Sequence, residues 1–306
     1  MCGIFGYISK EKIDAASILL DGLKRLEYRG YDSAGIAVFS TRGILLKKKS
    51  GRISNLEQVV ADMPDSLLGI GHTRWATHGS PTDDNAHPHF DCKKRIYIVH
   101  NGIIENYQTL KSYLKKKDHK FTSETDTEVI VHLIEELSKK YDFKEAVRFS
   151  LKLIQGAYAL AIMDYNNPDI LIVAKNSSPL VIGFGNNIKY VASDAAAILP
   201  YTRDVVYLQD GEMAVLDSSS LKISNLDRKI ITRKKEKIEW SENDAKKGNF
   251  AHFMLKEISE EATAVENAIR GRLIKEEGIS ILGGLATIEP KLGKVKQIKI
   301  IGCGTA

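Results

Sequence analysis

Cys2 is the residue of this sequence best placed for covalent chemistry. A small residue at this position permits removal of Met1, which would leave a thiol and a free α-amine on one residue. Because an α-amine titrates near pH ~8 and a thiol near pH ~8.5, the amine can act as general base for the thiol. The pattern favours a self-contained nucleophile; the alternative is an ordinary buried cysteine at the start of a core strand.

Three other polar positions supply what a thiolate would need to attack an amide. Asn101 and the backbone N–H of Gly102 can donate to an oxyanion. Arg74 offers a two-pronged donor for a carboxylate, and Asp126 offers an anion for an ammonium group. A substrate with an amide, a carboxylate and an ammonium group is glutamine or asparagine.

Each of these positions also has a simpler structural interpretation. Asn101 and Gly102 are typical of a turn that follows a strand. Asp126 can favour a helix N-terminus through the helix dipole, and Arg74 can form a surface cation–π pair with Trp75. Taken one at a time, the residues leave both interpretations open.

Histidines offer a competing hypothesis, a zinc-dependent hydrolase. Five of them fall within a short stretch, but no nearby cysteine or paired glutamate completes a ligand set, and Pro88 favours a structural loop. We therefore predict no metal and no cofactor. The histidines concerned are His72, His78, His87, His89 and His100.

The elements expected to position these groups are strands that end in polar loops and helices that begin with caps. Asp14 is predicted to cap a helix that extends to Leu26. The strand Ile96–Val99 is predicted to deliver Asn101 at its end, before a helix over 103–116. A capping box, Thr125 with Glu128, is predicted to open a helix over 127–139.

Strands, then helices, then more strands form an α+β pattern rather than alternating βαβ units. A further helix is predicted over 144–153, and a charged helix over 250–273. The predicted strands, of which the first pair is joined as a hairpin by 41–43, are 36–39, 44–48, 67–70, 158–163, 170–174, 180–182, 188–192, 205–208, 213–216 and 295–301.

Composition places the chain among globular proteins. Its 306 residues are 43% hydrophobic and 27% charged, and its three cysteines are too few and too far apart for a disulfide framework. These features favour a reducing cytoplasm, with no signal peptide and no membrane span. The net charge of +5 is spread out, and its basic clusters lack interleaved aromatic residues, so we expect no nucleic-acid partner.

Several motifs together resemble the glutaminase domain of the glutamine–fructose-6-phosphate aminotransferase family. The likeness covers about residues 1–240 and is specific, because the segment at 26–35 distinguishes this family from others that share the nucleophile. The motifs are Met1–Gly6 (MCGIFG), Leu26–Gly35 (LEYRGYDSAG), Gly71–Gly79 (GHTRWATHG), Asn85–His89 (NAHPH), His100–Asn106 (HNGIIEN) and Ser123–Glu128 (SETDTE).

The resemblance implies a four-layer αββα N-terminal-nucleophile hydrolase fold and assigns roles to nine residues. Cys2 would be the nucleophile, with Asn101 and Gly102 as the oxyanion hole. The α-groups of glutamine would be held by Arg74, Thr77, His78 and Asp126. Trp75 would gate ammonia passage, and Arg29 would order the pocket.

It also implies a domain organisation. The glutaminase domain would span 1–240, a linker and helix 241–294, and the start of a truncated α/β sugar-isomerase domain 295–306. Glu260–Ala262 departs from the family's usual Glu-Gln-Pro, so the interdomain contact need not be the same. The fructose-6-phosphate site would lie beyond Ala306, and the full-length enzyme would be a homodimer.

Overall fold

The computed structural model describes residues 2–239, 250, 252–269, 273–274, 279–280, 294–297 and 299. Its backbone divides into two compact units, 1–242 and 243–306. The predicted domain boundaries remain a prediction. Met1, the glycine-rich segment 302–306 and residues 298, 300 and 301 of the strand predicted over 295–301 lie outside the described residues, and 295–297 and 299 are not in a strand.

The first unit contains two antiparallel sheets, and within the described part of the second unit a helix and a two-stranded sheet are present. The helices are α1 (Ala15–Lys24), α2 (Ile53–Glu57), α3 (Tyr107–Lys115), α4 (Glu128–Leu137), α5 (Phe143–Leu153) and α6 (Phe253–Ile269). The strands are β1 (Gly3–Ile13), β2 (Ser33–Ser40), β3 (Gly43–Ser50), β4 (Ser66–Arg74), β5 (His89–Phe90), β6 (Ile96–Ile104), β7 (Gly156–Asp164), β8 (Leu171–Asn176), β9 (Val181–Phe184), β10 (Ile188–Ala192), β11 (Asp204–Tyr207), β12 (Glu212–Leu216), β13 (Leu221–Asn225), β14 (Ile230–Ile231), β15 (Glu236–Lys237), β16 (Leu273–Ile274) and β17 (Ile279–Ser280).

Three apolar clusters define four layers. One cluster joins α1 and α2 to one face of the sheet β15-β11-β9-β10-β1-β4-β2-β3. A second lies between that sheet and the sheet β14-β13-β12-β8-β7-β6-β5. A third packs the other face of the second sheet against α4 and α5. Burying both faces of each sheet in this way produces the αββα arrangement, which confirms the predicted fold class.

Strand β1 is central in its sheet, which fixes the start of the chain. It pairs with β10 on one side and with β4 on the other. The backbone N–H of Ile4 also donates to Ser193 Oγ at 3.0 Å. Strand β1 therefore carries Cys2 directly into the fold.

Two local predictions are confirmed. Asp14 caps α1, its carboxylate accepting the backbone N–H of Ser17 at 3.0 Å. Strands β2 and β3 form the expected hairpin, in register from Ser33 with Ser50 to Ser40 with Gly43.

Among the described residues, every helix is too short or too polar to span a bilayer.

Two local predictions are wrong. Strand β6 does not end at Val99 but continues to Ile104, so the helix predicted from 103 begins only at Tyr107. The capping box is not formed, because α4 is capped by Thr127 without a side-chain bond. The Glu128 carboxylate instead accepts the backbone N–H groups of residues 122 and 123.

Candidate active site

A small cleft at the ends of β1, β4 and β6 brings the predicted site residues together. The residues that line it are Cys2, Arg74, Trp75, Thr77, His87, His100, Gly102, Thr125, Asp126 and Thr127. Six of the nine predicted residues line this cleft, and His78 lies beside it, near Asp126. Asn101 and Arg29 contact the backbone carbonyl oxygen of Cys2.

The Cys2 thiol is held against the backbone of Trp75. The Trp75 N–H donates to Cys2 Sγ at 3.2 Å, and the thiol lies 3.5 Å from the Trp75 carbonyl oxygen. Burial raises the pKa of the Cys2 thiol, against the lowering effect of that N–H and of the Arg74 charge. A thiol with a raised pKa rests protonated, so it needs a base to become a nucleophile.

The backbone carbonyl of Cys2 is clamped by two side chains. Asn101 Nδ2 donates to it at 3.0 Å and Arg29 Nε at 3.2 Å. Arg29 is itself paired with Asp194, Nη1 to Oδ2 at 3.1 Å. These contacts hold Cys2 against strand β6.

The orientation of the Asn101 amide is set by a chain of histidines. His72 Nε2 lies 3.0 Å from Asn101 Oδ1, and His87 Nδ1 lies 3.0 Å from His72 Nδ1. A proton on His72 Nε2 faces two acceptors, the Asn101 amide oxygen and the His100 carbonyl oxygen, each at 3.0 Å, and Asn101 Nδ2 is left to donate to the Cys2 carbonyl oxygen. The Asn101 amide is therefore fixed with its donor toward the nucleophile.

Gly102 adopts a backbone conformation that requires glycine. Its φ is +137°, and a Cβ placed there would lie 1.9 Å from the Ala157 carbonyl oxygen on the paired strand β7. Asn101 and Gly102 lie inside β6, not in a turn after it. The turn interpretation is wrong.

Arg74 is buried, with 3% of its surface exposed, so it is not part of a surface cation–π pair. Its guanidinium donates to the carbonyl oxygens of His78, Gly79 and Ser80, the last at 3.2 Å. Burial lowers the pKa of Arg74. In this arrangement Arg74 holds the loop that follows β4 against the cleft.

Asp126 and His78 face each other across the cleft. Asp126 is 3% exposed, and its Oδ2 accepts the Ile104 N–H at 2.7 Å. Its Oδ1 lies 3.9 Å from His78 Nδ1. One carboxylate oxygen is thus used structurally and the other faces the cleft.

Trp75 and Thr77 are exposed at the rim of the cleft. Trp75 is 46% exposed and its ring meets Tyr31 edge-on, with centroids 5.8 Å apart. The Ala76 N–H between them donates to Asp32 Oδ2 at 2.8 Å. This position at the rim suits a residue that covers a bound molecule.

The histidines do not converge on a single point. His72, His87, His89 and His100 are buried, and one ring nitrogen each of His89 and His100 faces the hydroxyl of Thr125 or Thr127, at 3.0 and 2.8 Å. His78 lies apart from them and contacts the Tyr107 ring. Within the described residues, these histidines form no metal-ligand group.

Sequence reasoning missed two residues that support the site. Asp194 pairs with Arg29 and accepts the Tyr28 hydroxyl at 2.7 Å. Asn85 holds the loop after β4 by donating to the Ser80 carbonyl oxygen at 2.9 Å. Asn85 lies within the NAHPH motif; Asp194 is 165 residues from Arg29, and no local pattern signals that contact.

We expect acid to destabilise the folded protein through the buried histidines. Burial lowers the pKa of His72 from its usual 6.5 to about 3, so the stability linked to it is fully present above pH 6.5 and is lost as pH falls toward 3. Between pH 6.5 and 5 this single group should cost about 2 kcal/mol. Urea unfolding across this range measures the slope, and H72Q should make it shallower, whereas H252Q, at an exposed histidine, should not.

Comparisons with known proteins agree with this fold and site. The glutamine amidotransferase domain family matches residues 72–200. A solved Bacillus subtilis glutamine phosphoribosylpyrophosphate amidotransferase, complexed with ADP and GMP, superposes with a TM-score of 0.64 and is 29% identical, covering 75% of this chain and 50% of that one. A second structure, of the allosteric regulatory enzyme of purine biosynthesis, gives a TM-score of 0.64 at 30% identity, covering 74% of this chain and 49% of that one.

The fold and the cleft thus define a glutamine amidotransferase domain of the N-terminal-nucleophile type. Curated relatives named glutamine–fructose-6-phosphate aminotransferase (isomerizing) match this chain over its whole length, at 47% identity in Thermus thermophilus and 46% in Methanosarcina acetivorans. The chain is therefore a homologue of these aminotransferases over the part that they share. It spans about half the length of the curated relatives it matches, 50% and 51% of these two.

Proposed function

We propose that this chain hydrolyses glutamine to glutamate and ammonia through a thioester on Cys2. The observation that carries the proposal is the position of the Cys2 thiol, 3.2 Å from the Trp75 N–H, in a cleft that also holds Arg74, Gly102 and Asp126. A nucleophile, oxyanion donors and groups of both charges lie within one small pocket. No cofactor enters this scheme.

The proposed first step forms the thioester. After Met1 is removed, the α-amine of Cys2 takes the thiol proton, and the sulfur attacks the side-chain amide carbon of glutamine. The oxyanion accepts from Asn101 Nδ2 and the Gly102 N–H. The ammonium form of the α-amine then protonates the leaving nitrogen, and ammonia departs as the C–N bond breaks.

In the second step the thioester is hydrolysed. Water attacks the acyl carbon with the α-amine as base, the C–S bond breaks, and glutamate and the free thiol are regenerated. The substrate would be held at its α-groups by Arg74, Thr77, His78 and Asp126. Trp75, exposed at the rim, would close over the pocket and direct ammonia onward, and Arg29 would keep Cys2 in place.

The use of the ammonia is a further part of the proposal. Because the relatives are named for fructose-6-phosphate amination and are twice as long, the full-length protein would convert fructose-6-phosphate to glucosamine-6-phosphate as a cytoplasmic homodimer. Its domains would be 1–240, 241–294 and an isomerase domain starting at 295. The alternatives are a glutaminase subunit that serves a separate synthase chain, and a catalytically silent glutamine-sensing module.

Acid quenching of the chain during turnover tests the mechanism directly. Intact mass should show loss of Met1, and peptide mapping should place a γ-glutamyl adduct on the N-terminal peptide that contains Cys2. Glutamate should accumulate only in samples that form the adduct. An active preparation that retains Met1, or an adduct on another residue, would overturn the mechanism.

We predict that D126N raises KM for glutamine by about 10²-fold, because removing one member of a buried charge pair typically costs 2–5 kcal/mol, of which about 2.7 kcal/mol is 10²-fold. The asparagine can still accept the Ile104 N–H, so the fold should be kept. Steady-state kinetics with 4-carbamoylbutanoate, which is glutamine without the α-amine, provides the control. The KM for 4-carbamoylbutanoate should differ little between wild type and D126N. An equal rise in KM for both substrates would contradict the assigned role.

A further inference from the structure

Away from the Cys2 cleft, four side chains with metal-binding atoms converge on one point. Cys92 follows β5, His119 lies between α3 and α4, and His132 and Glu135 lie on α4. The three-residue spacing of the last two places them on the same face of that helix. All four ligand atoms lie within 4.8 Å of one another.

Five of the six distances between these atoms match those of a tetrahedral zinc site. Cys92 Sγ lies 3.5 Å from His132 Nδ1 and 3.7 Å from His119 Nδ1, and the two Nδ1 atoms are 3.3 Å apart. Glu135 Oε2 lies 3.1 Å from His119 Nδ1 and 3.5 Å from His132 Nδ1. With ordinary zinc–ligand bonds, a tetrahedron has N···N edges of about 3.3 Å and N···S edges of about 3.6 Å.

With both imidazoles neutral, hydrogen bonding alone does not account for this cluster. His119 Nε2 lies 3.1 Å from Glu136 Oε2, and His132 Nε2 lies 3.5 Å from Glu128 Oε1. Protons on both Nε2 atoms leave both Nδ1 atoms as acceptors, and the Glu135 carboxylate is also an acceptor. Only the Cys92 thiol then has a proton to share among four facing atoms, whereas a cation at the centre would satisfy all of them.

Backbone N–H groups and carboxylates around the cluster hold the ligand atoms in position. The Lys120 N–H donates to Cys92 Sγ at 3.4 Å, and the Cys92 N–H donates to Glu135 Oε2 at 3.1 Å. His119, His132 and Glu135 are each at most 8% exposed. Carboxylates on the outer side of both imidazoles are the usual support for metal-bound histidine.

We propose that Cys92, His119, His132 and Glu135 bind one structural Zn²⁺ ion. A thiolate and a carboxylate balance the two charges of the ion, and thiolate with imidazole favours zinc over magnesium or calcium. Four protein ligands leave no open position for a substrate. The ion would tie the turn after β5 and the loop before α4 to α4, the helix that begins just after Asp126.

The test uses the purified 306-residue chain, stripped with a chelator and then titrated with zinc or cobalt. We expect about one zinc per chain by elemental analysis, and with Co²⁺ a thiolate-to-metal charge-transfer band. C92A and H119A should each lose the band and at least 90% of the bound zinc. C2S and C303S, which remove thiols outside the cluster, should keep both.

Thermal unfolding supplies a readout that does not depend on glutamine hydrolysis. Chelation should lower the Tm of wild type by about 5 °C or more, zinc should restore it, and C92A should not respond to either treatment. Should a variant fail to fold, the wild-type zinc stoichiometry and cobalt spectrum still decide. A wild-type chain that binds no zinc at micromolar concentration, or a C92A variant that keeps it, would overturn the proposal.

Discussion

C2A is expected to abolish glutamine hydrolysis, lowering kcat by about 10³-fold or more, because the variant has no atom that can form the thioester. The methyl group fills part of the space of the thiol, and the Cys2 backbone carbonyl keeps its bonds from Asn101 and Arg29. The fold and the affinity for glutamine should therefore persist. Glutamate release under saturating glutamine measures the loss, and calorimetric glutamine binding checks that the pocket survives.

The matched control is C303A, which removes a thiol that has no role in the proposed mechanism and should hydrolyse glutamine like wild type. Glutamate release by C2A at a rate near that of wild type would rule out Cys2 as nucleophile. Loss of glutamine binding by C2A would show instead that the thiol supports the pocket.

G102A should destabilise the protein by about 3 kcal/mol or more, from the strain of a positive φ together with overpacking. The new Cβ would lie 1.9 Å from the Ala157 carbonyl oxygen, so β6 must move away from β7. That movement displaces the Gly102 N–H proposed for the oxyanion, and kcat should fall by about 10²-fold. Urea unfolding and glutamate release measure the two effects.

The control variant G43A has the strain of a positive φ without the steric clash that G102A adds. Gly43 has a φ of +134°, nearly that of Gly102, but among the described residues no atom beyond its chain neighbours lies within 4 Å of the position that a Cβ would occupy there. It should lose only about 1–2 kcal/mol and keep wild-type kcat. Equal losses in stability for G43A and G102A would show that the close approach of β7 is not what requires glycine at 102.

The sequence was sufficient for the fold class because its signals there are local. The Asp14 cap, the apolar positions of α1 and the turn before Gly43 each act within a few residues. The order of strands and helices then leaves few ways to bury both sheets. The structure confirms these points.

The position of Asn101 and Gly102 was not predictable in the same way. A short apolar run ending at Val99 indicates a strand end, yet β6 pairs with β7 as far as Ile104 with Gly156. Glycines on both strands, including one with φ +125° at 156, permit this close pairing, and the partner strand lies some 55 residues away. Tertiary pairing here overrides the local turn signal.

Thr125 and Glu128 show how a tertiary contact can displace a local motif. The Thr125 hydroxyl lies 3.0 Å from His89 Nε2, and Thr125 stands two residues before Thr127, the N-cap of α4, so it does not cap the helix. The Cys92 cluster was missed for a related reason. Its ligands come from three segments spread over 43 residues, with only the His132–Glu135 spacing to suggest a site.

Because β1 is central in its sheet, it cannot pair on both sides until later parts of the chain have been synthesised. Residues 3–13 leave the ribosome well before their partners in β4 and β10, which lie at 66–74 and 188–192. At about 5–20 residues per second, the N-terminus waits roughly 10–40 s before both of its neighbours exist. An aminopeptidase can reach Met1 during this interval, and the thiol enters its finished pocket only afterwards.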